Sequence, residues 1–375
     1  MKITKLDTFL VKNTRSLFLK IHTDEGLVGL GEPVLEGRAL TCAQAVEELV
    51  PYLIGQDPTR VVHHWQAMYR HAFYRGGPIL VSALSGVEQA LWDLTGKALG
   101  VPVYKLLGGQ LRDRIQVYGG AGGATPEEAA KSTKARVAEG YTALKTGLFT
   151  KRPARIVESP GFVDASVAIF AAMREAAGKE VRLAVDFHGA ISPQTAALLI
   201  KELEPYDPMF IEEPVQCQNV DVLADLARKT HIPIATGERI FTKWGFREIL
   251  EKRAAAILQP DLSHAGGIFE CRLIAGMAES YYAGIAPHCP LGVIALASCL
   301  QLDASIPNFL AQEQGYLGAG HIKQPFVVKN GFIELPTGPG LGIELDEDAM
   351  AELRTDQDWK NPQTYDPDDG SVVDW

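Results

Sequence analysis

Apolar and polar positions change their period along this chain. Residues 2–32 alternate apolar with polar side chains and break at Asn13-Thr14 and at Asp24-Glu25-Gly26, the signature of a three-stranded antiparallel meander. Helical spacing follows over 39–52, 60–73 and 80–99, with Tyr74-Arg75-Gly76-Gly77-Pro78 as a loop before the third helix. From Ile115 onward, short apolar runs take turns with helix-like stretches. The runs end near Gly119, Lys145, Asp186, Glu212, Glu238, Asp261 and His288, with a weaker one at Ala311-Gln312-Glu313. Apolar runs of this kind are strands buried on both faces of a parallel sheet. One strand–helix unit per roughly 25 residues is the rhythm of a TIM barrel.

The predicted fold is therefore α/β: a modified TIM barrel of (β/α)7β type with an N-terminal α+β capping domain completed by C-terminal residues. Its divisions fall at 1–110 for the capping domain, 111–318 for the catalytic barrel and 319–375 for a segment returning to the capping domain. Thr125-Pro126-Glu127-Glu128 reads as a helix start, with Thr125 as N-cap and Pro126 in the first turn. The longer step from Lys145 to Asp186 places an insertion at 149–161. Leu335-Pro336-Thr337-Gly338-Pro339-Gly340 predicts a hairpin, and the acidic tail 356–375 is expected on the surface.

Three of the strand-ending residues are acids in phase. Asp186, Glu212 and Glu238 stand 26 residues apart in each step, each after a run of apolar or small residues. Strand C-termini are where such barrels carry their chemistry. Three carboxylates converging there repel one another unless a cation lies between them. All-oxygen donors select a hard divalent ion, Mg2+, over zinc, which prefers nitrogen and sulfur.

Two histidines extend the set. His188 lies two residues beyond Asp186, and strand alternation directs it to the same side as that acid. His288 ends the seventh strand, next to Asp261 at the end of the sixth. An Asp261–His288 hydrogen bond would fix the imidazole tautomer and raise its basicity. His288 then serves as general base and His188 as general acid. His231 and His264 lack this support and read as structural or surface residues.

Composition narrows the function classes. Among the 375 residues, 46% are hydrophobic and 22% charged, as in ordinary globular proteins. A net charge of −10 and a pI near 5.5 argue against nucleic-acid or membrane-surface partners. An anionic substrate must then be drawn by local positive charge, from a metal or a lysine. The five cysteines, Cys42, Cys217, Cys271, Cys289 and Cys299, form no CxxC pair, which fits reduced thiols in the cytoplasm. The chain opens directly into a strand-like run without a signal-peptide core, and its apolar runs are too short for a membrane span.

These motifs resemble the mandelate racemase subgroup of the enolase superfamily over nearly the whole chain. The likeness rests on Ile211-Glu212-Glu213-Pro214, Thr236-Gly237-Glu238-Arg239, the Asp261–His288 pair and the following Glu313. Asp186-Phe187-His188-Gly189, Ser263-His264-Ala265-Gly266-Gly267 and Ala286-Pro287-His288-Cys289-Pro290 look most like its galactonate-dehydrating branch. Sites of this superfamily pair a Lys or His base with Mg2+. The resemblance implies an acid-sugar dehydratase in which His288 takes the C2 proton and His188 protonates the departing C3 hydroxyl. It assigns Glu313 to the substrate carboxylate or enediolate oxygen, and implies a homo-oligomer, octamers being common among its members. Lys145 is expected to face the substrate carboxylate, with Arg15, Tyr74 and Arg75 on the capping loops contacting the substrate.

Racemases of the subgroup carry Lys-X-Lys on the second strand, whereas this chain has Lys145-Thr146-Gly147. Without a second lysine the pattern favours dehydration, which needs one base and one acid. The rival readings are an epimerase or cycloisomerase using a second base elsewhere, and a catalytically silent barrel with a binding role. The 13–16 loop and the segment after Glu313 also depart from the galactonate pattern, which leaves the particular sugar acid open.

Overall fold

The computed structural model describes residues 1–147 and 157–373. The meander forms as β1 (Ile3–Val11), β2 (Leu17–Thr23) and β3 (Val28–Gly31), all antiparallel. Strand β2 is buried at six of its seven positions, so it does not alternate as the sequence led one to expect. One face packs Leu19 and Ile21 among the helices, while Leu17 and Phe18 belong to the main core. On the other side the Lys20 ammonium lies over the Phe9 ring and pairs with Glu347 at 2.5 Å.

Helices α1 (Ala39–Leu53), α2 (Val61–His71) and α3 (Pro78–Leu99) follow, then the short α4 (Val103–Leu106). Gly31 and Gly86 let β3 and α3 touch: a Cβ on Gly31 would lie 1.9 Å from the Gly86 carbonyl oxygen. No helix among the described residues is long and apolar enough to cross a membrane.

The barrel strands are β4 (Arg114–Gly120), β5 (Ala143–Gly147), β6 (Arg182–Asp186), β7 (Ile211–Glu212), β8 (Ile234–Thr236), β9 (Ile257–Leu258), β10 (Gly284–Ile285) and β11 (Gln312–Glu313). They pair in parallel from β10 back to β4, and β11 pairs with β4. A bridge between Ile285 and Phe309 joins the β11 run to β10. The ring is closed by this contact. Between successive strands lie α5 (Pro126–Ala138), α6 (Pro160–Ala177), α7 (Pro193–Leu203), α8 (Val220–Ala227), α9 (Thr242–Glu251), α10 (Gly267–Ser280) and α11 (Val293–Ser305). Seven β/α units and a last strand make the (β/α)7β order. Thr125 caps α5 by accepting the Glu128 N–H. Of the expected insertion, 149–156 lies outside the described residues, and Pro160 already begins α6.

The C-terminal part adds β12 (Phe332–Glu334), antiparallel on β4, then α12 (Glu347–Leu353) and β13 (Arg354–Thr355), which joins the meander beside β1. Helix α3 ties these parts together through buried polar side chains. Glu88 accepts the Ile268 and Phe269 N–H groups at 2.7 and 2.9 Å, capping the start of α10. Gln89 donates to the Leu262 carbonyl and accepts from the Glu32 N–H. Asp93 accepts from Leu30 and Leu341 and pairs with Lys97. From the meander, Glu32 accepts the Gly292 and Ala295 N–H groups at the start of α11, at 2.8 and 2.9 Å. Helix N-termini carry unpaired N–H donors and partial positive charge, so a buried carboxylate finds its partners there.

Candidate active site

Asp186 and Glu212 close adjacent strands in register. Glu238 lies two residues past the end of β8, after Gly237 at φ 151°. The three acids bring one oxygen each to within 4.8 Å of one another. Burial and the neighbouring Asp186 push the Glu212 carboxyl well above the ordinary carboxylate range, the electrostatic mark of crowded acids. Three hard oxygen donors at this separation fit a divalent metal ion.

Lys145, midway along β5, serves the same crowd from the side. Its ammonium lies 2.8 Å from Glu313, 2.9 Å from Glu212 and 3.4 Å from Asp186. Burial alone would lower its pKa, but Glu212 and Glu313 hold it well above the usual lysine value. Glu313 also accepts the Cys289 N–H at 2.8 Å. Burial raises this carboxyl and Lys145 then draws it below the ordinary range.

The two histidines flank the triad at opposite ends of its strand order. His288 Nδ1 lies 2.8 Å from Asp261 Oδ2, and its Nε2 lies 3.0 Å from Glu238 and 4.0 Å from Glu313. Burial opposes charge on this imidazole, but Glu238 and Asp261 raise its pKa well above the ordinary histidine value. At the β6 end, His188 Nε2 stands 3.1 Å from Asp186. His188 has φ 50° and its N–H bonds Asp186 at 2.7 Å. A left-handed turn therefore returns this ring to its neighbour, correcting the expectation of strand alternation: β6 has already ended at Asp186.

A cavity of about 930 Å3 opens above these groups, lined by Lys145, Asp186, His188, Glu238, His288 and Glu313 from the barrel and by Arg15, Glu36 and Arg38 from the capping side. Arg15 reaches it as expected. Tyr74 and Arg75 do not: Tyr74 is 85% exposed, Arg75 lies over the Tyr69 ring, and from their loop Pro78 lines the cavity.

His264, read from the sequence as a structural or surface residue, is structural and also faces the cavity. It is buried and lines the cavity, with Nδ1 3.0 Å from Ser82 Oγ and Nε2 3.5 Å from Glu36. Burial would raise the Glu36 carboxyl, but His264 holds it down at about 2. Arg239 passed unnoticed. It pairs with Glu213, donates to Gln216 and to the His188 carbonyl, and so braces the His188 turn. Adjacency to Glu238 was its only sequence signal.

The fold and site together define an enzyme-type barrel whose strand ends present a carboxylate triad between two histidines. Residues 4–108 match the mandelate racemase / muconate lactonizing enzyme N-terminal domain, and 128–349 match the enolase C-terminal domain-like family. The chain belongs to the mandelate racemase subgroup of the enolase superfamily. It is 49% identical over 386 aligned positions to the D-galactonate dehydratase of Ralstonia nicotianae, with 100% of both chains covered. The D-galactonate dehydratase of Pectobacterium atrosepticum gives the same identity and coverage. Among solved structures, a mandelate racemase/muconate lactonizing enzyme from Jannaschia sp. CCS1 superposes with a TM-score of 0.89 at 34% identity, covering 95% of this chain and 98% of that one. An enolase-superfamily member from Salmonella Typhimurium gives 0.89 at 32% identity, with 94% and 98% covered.

Proposed function

We propose that this protein is an acid-sugar dehydratase, a hydro-lyase that converts D-galactonate or a close relative into a 2-keto-3-deoxy acid. The observation that carries the reading is the pair of imidazoles on either side of three converging carboxylates, at His188–Asp186 and His288–Glu238, in a chain 49% identical to named D-galactonate dehydratases.

Asp186, Glu212 and Glu238 would hold a divalent metal ion, and the all-oxygen donor set favours Mg2+. Bound there, the ion supplies positive charge that acidifies the α-carbon of a substrate carboxylate. The Lys145 ammonium meets that carboxylate from the β5 side, in line with its contacts to Glu212 and Glu313. In its neutral form His288 takes the C2 proton at Nε2, while Asp261 accepts from Nδ1 and holds the ring in the reactive tautomer. His188 gives a proton to the C3 hydroxyl, which leaves as water, and the enol becomes the 2-keto-3-deoxy acid. Glu313 hydrogen-bonds the substrate end in this reading, which its proximity to Lys145 and His288 supports.

Gly147 favours this over racemisation. A Cβ there would meet no described atom within 4 Å, so the second strand leaves open space where a racemase carries its second lysine. The division into a cap of 1–110, a barrel of 111–318 and a returning segment of 319–375 is supported by the two separate sheets and by β13 on β1.

The test is the purified protein with Mg2+ against a panel of C5 and C6 acid sugars, reading keto-deoxy product by semicarbazide absorbance. Turnover of D-galactonate or a near relative, lost in His288→Asn, is the expected result. Inactivity on every acid sugar overturns the reading.

A further inference from the structure

The tail beyond β13 was expected on the surface as an acidic appendage. Much of it is exposed, yet Asn361 lines the active-site cavity. We infer that the tail completes the outer wall of the acid-sugar pocket: Asn361 reads the hydroxyls farthest from the reacting carbons, and Trp359 positions Arg15 beside them. This rests on the dehydratase reading above and adds to it the part of the chain that selects the substrate.

The route of the tail is fixed at its start. Strand β13 pairs Thr355 with Leu10 and Arg354 with Val11, and Arg354 reaches Asp7 at 3.0 Å. From there the chain crosses toward the mouth. The Arg15 guanidinium lies over the Trp359 ring, 4.2 Å from its centroid, in range of a cation–π contact. Arg15 and Asn361 line one cavity, so the tail positions one lining group and contributes the other. Gly37, at φ 71°, admits this approach, since a Cβ there would lie 2.5 Å from Asn361 Oδ1.

The chemistry follows from position. Lys145, the triad and the histidines hold the carboxylate and the reacting carbons at the strand ends. The remainder of the sugar extends toward the side built from capping residues and the tail. On that side Glu36 is already engaged with His264. The Asn361 amide has no hydrogen-bond partner among the described residues, and an amide offers both donor and acceptor to a hydroxyl. Arg15 adds a fixed fork of donors beside it. This pairing suits a polyol chain.

Steady-state kinetics on D-galactonate, its C5 epimer and an aldonate one carbon shorter test the inference. Asn361→Ala is expected to raise KM for the best substrate about tenfold, the scale of one lost hydrogen bond, with a smaller change in kcat. Its preference for that substrate over the shorter aldonate should shrink by the same factor. Trp359→Ala should act in the same direction through Arg15, and Trp359→Phe, which keeps a ring under the guanidinium, should recover most of the loss. An active wild type whose KM values are unmoved by both alanine variants overturns the role of the tail alone. A wild type inactive on every acid sugar overturns the dehydratase reading and the tail's role together. A general fold defect would lower kcat on all substrates alike and would not be rescued selectively by Phe, and that pattern also overturns it.

Discussion

Two groups of buried acids in this molecule meet opposite fates. At the barrel mouth Asp186, Glu212 and Glu238 face one another, and their compensation comes from Lys145, His188 and His288. At the seam between cap and barrel, Glu32 and Glu88 each meet two backbone N–H groups at the start of a helix. The seam acids have fixed donors as partners, though burial still raises both carboxyls above the ordinary range. The mouth acids are held in a crowd of a kind that suits a divalent ion. The same side-chain chemistry thus makes a structural rivet in one place and a candidate metal site in the other, according to whether its partners are built into the backbone.

The comparison can be broken at several points. The largest effect is expected at the mouth. Replacing His288 with Asn removes the base and should lower kcat by about 10^3-fold, measured by keto-acid formation, and near-normal turnover would move the base elsewhere. Next is the seam. Glu88→Ala strands two buried N–H donors and the Trp92 N–H, and should cost about 3 kcal/mol or more in urea unfolding. A loss below about 1 kcal/mol would show that the cap contributes little.

A pH series sharpens the contrast. Burial, set against the N–H groups of Ala295 and Gly292, places the Glu32 carboxyl at about 7, above its ordinary 4.5. A raised folded-state pKa means stability that is full below about 4.5 and lost as pH rises through about 7. Wild type should therefore lose up to ~3 kcal/mol relative to Glu32→Gln between pH 5 and pH 8, read from paired unfolding curves at each pH. Parallel curves would mean that the helix N-terminus keeps this carboxylate ionised throughout.

The smallest change is expected from relieving the mouth. Glu212→Gln removes one of the crowded charges and should raise the melting temperature of metal-free protein, by an amount worth about 1 kcal/mol. It should also abolish most of the Mg2+-induced rise seen in wild type. A destabilised metal-free variant would show that Glu212 is needed for Lys145 more than it is strained by Asp186.

Much of the candidate site's geometry was legible because it lies along the repeat. Once one strand–helix step is recognised, residues 26 apart at strand ends must face one mouth, and Asp186, Glu212 and Glu238 do. The hydrogen bond between Asp261 and His288 follows from the same phase on neighbouring strands. His188 arrived at its place by another route than expected, because a strand's period ends where the strand ends. His264 looked ordinary in the sequence, since Ser82 and Glu36, which make it part of the cavity, come from an element 180 residues earlier and from a loop before α1.

The sequence by itself determined the (β/α)7β order, the capping meander and the acids and imidazoles of the mouth, because periodicity and spacing are local properties repeated along the chain. Only the tertiary structure decided how the cap meets the barrel. Glu32 and Glu88 find helix N-termini more than 170 residues away, and Asn361 comes to the cavity by way of a strand added to β1. Tyr74 and Arg75 stay outside it. Contacts of that range are set by the packing of whole elements, and no period in the chain records them.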